Sequence, residues 1–333
     1  MSQQTLRHGD LVEVKRPSEI LATLDERGTL ADLPFMPEMA PYCGRRLTVE
    51  RRAEKVCDTI HYTGSRRLHD SVLLEDLRCD GSGHDGCQAE CRLFWKEAWL
   101  RKVSPQEPPR PPFPPSELSA LIERTSRHAR STVRMNSKDE QRYRCQATDL
   151  TRCTEHLKVW DLRAYLREYT SGNVRLGRLL RVTTRAALKE PMRKLGLVPD
   201  VHVPGTAKKG VVFKSLELRP GELVRVKTKE EIAATLNAEG RNKGLWFDRE
   251  MLAYCGGTFR VRLRLKRFIN DRDGSMVVLK SEAVTLEGVV CSGDLSLRRW
   301  FCPRAIYPFW RECWLERVEP AIQPAAEPAS GRG

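Results

Sequence analysis

Thirty-six residues starting at Gly9, "GDLVEVKRPSEILATLDERGTLADLPFMPEMAPYCG", align without a gap on thirty-six starting at Gly221, "GELVRVKTKEEIAATLNAEGRNKGLWFDREMLAYCG", and half the positions are identical. Two segments this alike have the same apolar pattern to bury, so a fold open to one is open to the other. The offset of 212 positions pairs Cys43 with Cys255 and Cys79 with Cys291. After three extra residues in the second copy, Cys87 pairs with Cys302, and "FWKEAWLRKV" from Phe94 pairs with "FWRECWLERV" from Phe309. The chain therefore reads as copy 1 (residues 1–103), a Pro-rich linker (104–115), a basic helical connector (116–215), copy 2 (216–318) and a disordered tail (319–333).

Each copy opens on an alternating strand, "LVEVK" or "LVRVK". A short helix follows, with Ser18 or Thr228 placed to cap its start and Gly28 or Gly240 to end it in the left-handed conformation. The strands "RRLTVERRA" or "TFRVRLRLKRF" and "SVLLEDLRC" or "AVTLEGVVC" come next, and an aromatic strand closes the copy. About five short, twisted strands led by a glycine suggest a small barrel. The expected fold class is α+β: two repeated small β-barrel-like (Src-homology-3-like) modules joined by a helical, basic middle segment. Trp95, Trp99, Trp310 and Trp314 read as core, with a peptide groove as the alternative.

At 333 residues the chain is long enough for two or three cores, and its 40% hydrophobic content is not that of a disordered chain. The polar start "MSQQTLRHGD" is neither a secretion signal nor an anchor, and no apolar run reaches the ~18 residues of a membrane helix. The expectation is a soluble, cytoplasmic protein. The eleven cysteines are odd in number. In that compartment they read as metal ligands or buried thiols rather than disulfides.

Net charge is +14, and residues 104–215 hold 22 basic against 11 acidic side chains. The linker "SPQEPPRPPFPP" favours an extended polyproline spacer, or a docking site for a proline-recognition domain. In "VRLGRLLRVTTRAALKEPMRKLG", Arg175, Arg178, Arg181 and Arg185 recur every three or four residues, opposite Leu176, Leu179, Leu180 and Val182. The pattern predicts a helix over 174–190 with those four apolar residues buried. The arginines are either a solvated face or a site for an anionic partner. Nucleic acid or an anionic surface is open through residues 158–194, although no nucleic-acid motif or aromatic stacking platform stands beside them.

"CDGSGHDGCQAEC", residues 79–91, spaces its ligand types as C-x4-H-x2-C-x3-C. Zinc takes about four thiolate or imidazole ligands, and a glycine-rich loop can bend around it. Cys79 and Cys87 are expected at one ion, with Cys43, Cys91 or His84 completing the set and Cys57 as a further candidate. Copy 2 retains Cys255, Cys291 and Cys302 but lacks a partner for His84; Cys313 looks like a core wall. Zinc is therefore expected more strongly in copy 1. Cys145 and Cys153, outside the repeat, read as core. No phosphate loop, nucleophile elbow or H-E-x-x-H pair is present.

The stretches "RCDGSGHDGCQAECRLFWKEAWL", "YRCQATDL", "SGNVRLGRLLR", "GLWFDREMLAYCGGTFRV" and "FCPRAIYPFWRECWLERV" resemble an uncharacterised bacterial protein family with two copies of a cysteine-containing β-module. The resemblance implies a bacterial source and one unit spanning both copies; it carries no activity. The function expected from the residues is a non-catalytic, metal-braced tandem-module interaction protein with a protein partner. The alternatives are a metalloenzyme with a cysteine-rich site in or between the modules, and nucleic-acid binding through the basic segment.

Overall fold

The computed structural model describes residues 5–135, 138–195, 197, 203, 205–207, 214–295 and 298–318. The expected disordered tail and part of the connector lie outside them. The protein is mixed α/β, built on curled half-barrel sheet and several small sheets.

Copy 1 forms five strands, β1 (Leu11–Val14), β2 (Arg46–Arg52), β3 (Ser71–Arg78), β4 (Arg92–Lys96) and β5 (Leu100–Lys102). They lie in the order β4-β3-β2-β1-β5. The pairing is antiparallel, with Leu11 opposite Thr48 and Val14 opposite Leu100. The two edge strands are consecutive in sequence, separated only by the 3-10 turn Glu97–Trp99. Four residue steps span at most ~14 Å, whereas the edges of a flat five-stranded sheet stand ~19 Å apart. The sheet must curl. The aromatic segment expected as one strand is thus two strands, broken where the chain crosses from edge to edge.

Copy 2 repeats this arrangement. Strands β6 (Leu223–Val226), β7 (Thr258–Ile269), β8 (Met276–Leu286), β9 (Trp310–Arg311) and β10 (Leu315–Arg317) lie in the order β9-β8-β7-β6-β10. The aromatic centre of the core is the same in both copies. Phe35 packs edge-on against Trp95 and Trp99, and Phe247 packs edge-on against Trp310 and Trp314. The four tryptophans are fully buried, so they are core and not a groove. Trp99 Nε1 donates to Thr23 Oγ1 at 3.1 Å, and Trp314 Nε1 to Thr235 Oγ1 at 2.8 Å. The other two buried indoles, Trp95 and Trp310, have no hydrogen-bond partner among the described residues.

The helix starts differ from expectation in copy 1. Helix α1 (Pro17–Leu21) begins after Arg16, whose N–H donates to Glu19 Oε2 at 2.9 Å. Pro17 suits the first helical position, where no donor is needed. Ser18 is therefore inside the helix and donates to Glu117 Oε2 instead. In copy 2, Thr228 does cap its helix (Lys229–Ala233), in a reciprocal box with Glu231. Gly28 and Gly240 are left-handed, but they close the turns after the helices rather than the helices themselves.

The connector is not purely helical. Helix α2 (Pro115–Ser126) leads into a hairpin of Arg130–Met135 and Lys138–Tyr143, and Glu155–Leu157 pairs with copy 1 strand Ser65–Arg67. The Pro-rich linker is laid along copy 1: Arg46 and Arg16 donate to the Pro108 and Pro111 carbonyls. Helices α3 (Leu162–Thr170) and α4 (Leu176–Lys194) follow. On α4, Val182 is buried and Leu179 half-buried, but Leu176 and Leu180 are exposed. Arg178 faces inward with Val182 and Leu179, pairs with Asp294 at 2.8 Å and lies over Phe301, on the side of the helix away from Leu176 and Leu180. Arg175, Arg181 and Arg185 are exposed, as expected.

The copies meet through reciprocal contacts. The Cys57 N–H donates to Cys302 Sγ at 3.2 Å, and the N–H of Ile269, the counterpart of Cys57, donates to Cys87 Sγ, the counterpart of Cys302, at 3.4 Å. Lys55 donates to the Trp300 carbonyl, and its counterpart Arg267 donates to that of Asp85. Thr59 donates to its own counterpart, Asp271, at 2.8 Å. Contacts of this kind define an isologous interface, here within one chain.

Two outcomes follow from the packing of the connector. Arg178→Glu should cost ~1–3 kcal/mol in chemical denaturation, because it sets two carboxylates together in a half-buried site. Arg185→Glu should cost less than ~0.5 kcal/mol, and Asp294→Arg should recover part of the Arg178→Glu loss. Burial lifts the Glu168 carboxyl to about 7 from its ordinary 4.5. The folded state then holds that proton more tightly, so the contribution of this group to stability is fully present below about pH 4.5 and is lost as pH rises through about 7. Glu168→Gln should flatten that slope in melts taken across the window.

Candidate metal centre

The loop after β3 is shaped by two glycines at which an added Cβ would meet a neighbour. A Cβ on Gly81, at φ +75°, would meet the Cys87 carbonyl oxygen at 2.1 Å. A Cβ on Gly83 would meet Glu38 Oε2 at 2.7 Å. The loop thus folds tightly on itself and presses against the 3-10 helix Pro37–Tyr42 that carries Glu38. Three donors converge. Cys79 Sγ donates to Glu38 Oε1 at 2.9 Å, and His84 Nδ1 lies 3.3 Å from the same oxygen. Glu38, Cys79 and His84 are the one group of three such residues, among those described, whose ligand atoms all lie within 4.8 Å of one another. The group can hold a metal ion.

The electrostatics are unbalanced as the side chains stand. His84 is 1% exposed, and its Nε2 lies 3.2 Å from the Arg144 carbonyl, which can only accept. Nε2 therefore carries a proton, and in the neutral ring Nδ1 presents a lone pair toward a carboxylate oxygen. Glu38 Oε2 and His84 Nδ1 are buried without a hydrogen-bond partner. A cation between them, either a proton or a metal ion, removes the conflict. Burial would raise the Glu38 carboxyl, but with a proton on His84 Nδ1 the imidazolium and the Cys79 thiol outweigh it and hold it below its usual range. Cys79 is pushed far up by burial and by the Glu38 charge.

The remaining expected ligands fall into three places. Cys87 and Cys91 line a cavity of about 30 Å³ with Cys79, His84 and Cys145. Burial raises the thiols of Cys87 and Cys91, that of Cys91 to about 12. Cys43 is packed in the core of copy 1, its thiol raised by burial to about 12, and Cys255 sits half-buried against the core of copy 2. Neither belongs to the group. Cys291 and Cys302 lie with Cys57 at the interface between the copies. Cys153 is buried core, and Cys145, expected as core, borders the cavity.

Glu38 was not among the sequence candidates. Its signal was present: Glu38 and Glu250 are an identical pair in the repeat. Copy 2 shows what the carboxylate does without a histidine. Glu250 accepts from Ser292 Oγ at 2.6 Å, Ser292 N at 3.2 Å and Leu295 N at 2.7 Å, so both of its oxygens are satisfied.

Comparison with known proteins gives no match, either to a protein-family model or to a curated protein. Among the described residues no helix is long and apolar enough to cross a membrane.

If Gly83 is what admits Glu38 to the loop, Gly83→Ala should destabilise the fold by ~1–3 kcal/mol through overpacking against the carboxylate. Gly83→Ala and Gly86→Ala should also differ in kind. Gly86 faces open space, so its alanine variant carries only left-handed backbone strain, ~1 kcal/mol. Combining each with Glu38→Ala in urea denaturation should relieve the first loss and leave the second unchanged.

Proposed function

We propose that the protein is a non-catalytic interaction protein: two small barrels of the Src-homology-3 type, the first braced by zinc, that hold α3 and α4 out to a protein partner. The observation that carries this reading is the exposed apolar face of those helices. Of fifteen exposed large hydrophobic side chains among the described residues, ten lie between Trp160 and Leu197. Leu162, Leu166 and Tyr169 share one side of α3, and Leu176 and Leu180 follow one another along α4. Soluble monomers rarely leave so much apolar surface in one place without a use for it. Arg175, Arg181 and Arg185 are exposed around it. The matching partner is an amphipathic helix with leucines on one face and carboxylates at its margins.

Zinc suits the centre because Glu38, Cys79 and His84 offer one oxygen, one sulfur and one nitrogen, and Cys87, Cys91 and Cys145 border the same cavity as sources of a fourth donor. The Arg144 carbonyl on His84 Nε2 is the outer contact that orients a histidine ligand. A brace is favoured over a metalloenzyme by size. A cavity of about 30 Å³ accommodates an ion or one water, not a substrate. Nucleic-acid binding is the second reading, because Trp160 is 76% exposed within the same basic surface.

Anaerobically purified protein should contain one zinc per chain, with sulfur, nitrogen and oxygen neighbours by X-ray absorption. Cys79→Ser or His84→Ala should abolish it, and chelation should lower stability by at least ~3 kcal/mol. Metal-free protein in which Glu38 and His84 share a proton would remove the brace. For the surface, a synthetic Leu/Glu amphipathic helix should bind by calorimetry, weaken with salt, and fail with Leu166→Glu/Leu180→Glu. Undiminished binding by that variant, or preference for an oligonucleotide, would overturn the protein-partner reading.

A further inference from the structure

The zinc brace and the helical face leave one group of buried reactive side chains unused. Cys57, from copy 1, and Cys302, from copy 2, face each other across the interface, and both are 4% exposed. The Cys57 N–H reaches Cys302 Sγ at 3.2 Å. Arg304, also buried, donates to the Cys57 carbonyl at 3.3 Å and to Thr59 Oγ1 at 3.0 Å, and it lies 4.0 Å from Cys57 Sγ. The carboxylate paired with this guanidinium, Asp271, stands 3.9 Å away and is partly solvated. The Cys57 sulfur stands as close to this buried guanidinium as that carboxylate does, and a thiolate there would face a cation. Cys302, with Arg304 and Arg299, lowers the Cys57 thiol against the effect of burial, while burial and the neighbouring Cys57 raise Cys302. A nucleophilic sulfur is thus held beside a protonated one.

We propose that Cys57 and Cys302 are a reversible dithiol–disulfide latch between the two copies, closed by a peroxide and opened by a thiol reductant. The Cys57 thiolate attacks a peroxide oxygen; an S–O bond forms, the O–O bond breaks, and hydroxide leaves as water on protonation. Cys302 then attacks the Cys57 sulfur; the S–S bond forms, the S–O bond breaks, and the Cys302 proton leaves with the second water. Two thiols and one hydrogen peroxide give one disulfide and two waters. The bond would join positions 245 residues apart. The repeat provides an internal control. Cys87 receives the same backbone contact, but from Ile269, which has no sulfur to offer.

The test is full-length protein treated with hydrogen peroxide, then denatured, alkylated, digested and mapped by mass spectrometry. The expected product is a Cys57–Cys302 linked peptide pair, two hydrogens lighter than the free thiols and released by dithiothreitol, with Cys87 free of disulfide. The melting midpoint should rise by several degrees on oxidation and return on reduction. Cys57→Ile, which installs the residue copy 2 carries there, should keep the reduced melting midpoint and lose both the linkage and the shift. Full alkylation of both cysteines after oxidation, a Cys291–Cys302 link instead, or a metal ion bound by Cys57 and Cys302 in the untreated protein would each overturn the latch. The mapping needs no variant, so it decides the matter even if Cys57→Ile folds poorly. Zinc content, measured separately, keeps this result independent of the brace.

Discussion

The docking of the two copies on one another is the constraint from which the rest of the structure follows. Thr59 and Asp271, equivalent positions, meet at its centre, and a sulfur of each copy accepts a backbone N–H from the other on either side. A surface that complements itself needs no second sequence to evolve against, so duplication of one module supplies both halves. The glycine-rich loop of copy 1 serves two ends of this arrangement. Cys79 and His84 hold it to Glu38, and Cys87 and Gln88 hold it to β7 of copy 2. Whatever stiffens the loop at Glu38 also stiffens the contact between the copies.

The copies diverge where chemistry enters. Around Glu250 the buried carboxylate is satisfied by a serine hydroxyl and two backbone amides. Around Glu38 a thiol and an imidazole replace them, and Glu38 Oε2 and His84 Nδ1 are left buried without a hydrogen-bond partner. An unsatisfied buried polar pair is expensive, so the first arrangement is self-sufficient and the second calls for a cation. The Cys57 and Ile269 pair shows the same division: identical backbone contact, but a second sulfur in only one of the two.

The connector ties the assembly together by pairing rather than by apolar burial alone. Tyr143 N–H donates to the Gly274 carbonyl in copy 2, while Asn173 bonds to both backbone groups of Arg52 in copy 1. Arg178 then anchors α4 on copy 2 through Asp294 and Phe301. Leu176 and Leu180, each two residues and so about 200° round the helix from that arginine, lie on the opposite side and stay exposed.

Much of the β framework was legible in the residues alone. Alternation in "LVEVK" and "LVRVK", the repeated tryptophans and the constant offset between copies are local or periodic signals, and strand position, core aromatics and the common strand order of the two sheets express them. The left-handed glycines were legible for the same reason, since a turn's geometry depends on few neighbours. Three things came only from the tertiary structure. Glu38 joins Cys79 and His84 from more than forty residues away; Cys57 faces Cys302 across 245; and Arg178, not Leu176 or Leu180, turns inward on α4. Spacing along a chain encodes which side chains share a face. It does not encode which distant surface that face will meet, and a carboxylate, thiol or guanidinium takes its role from what stands a few ångströms away.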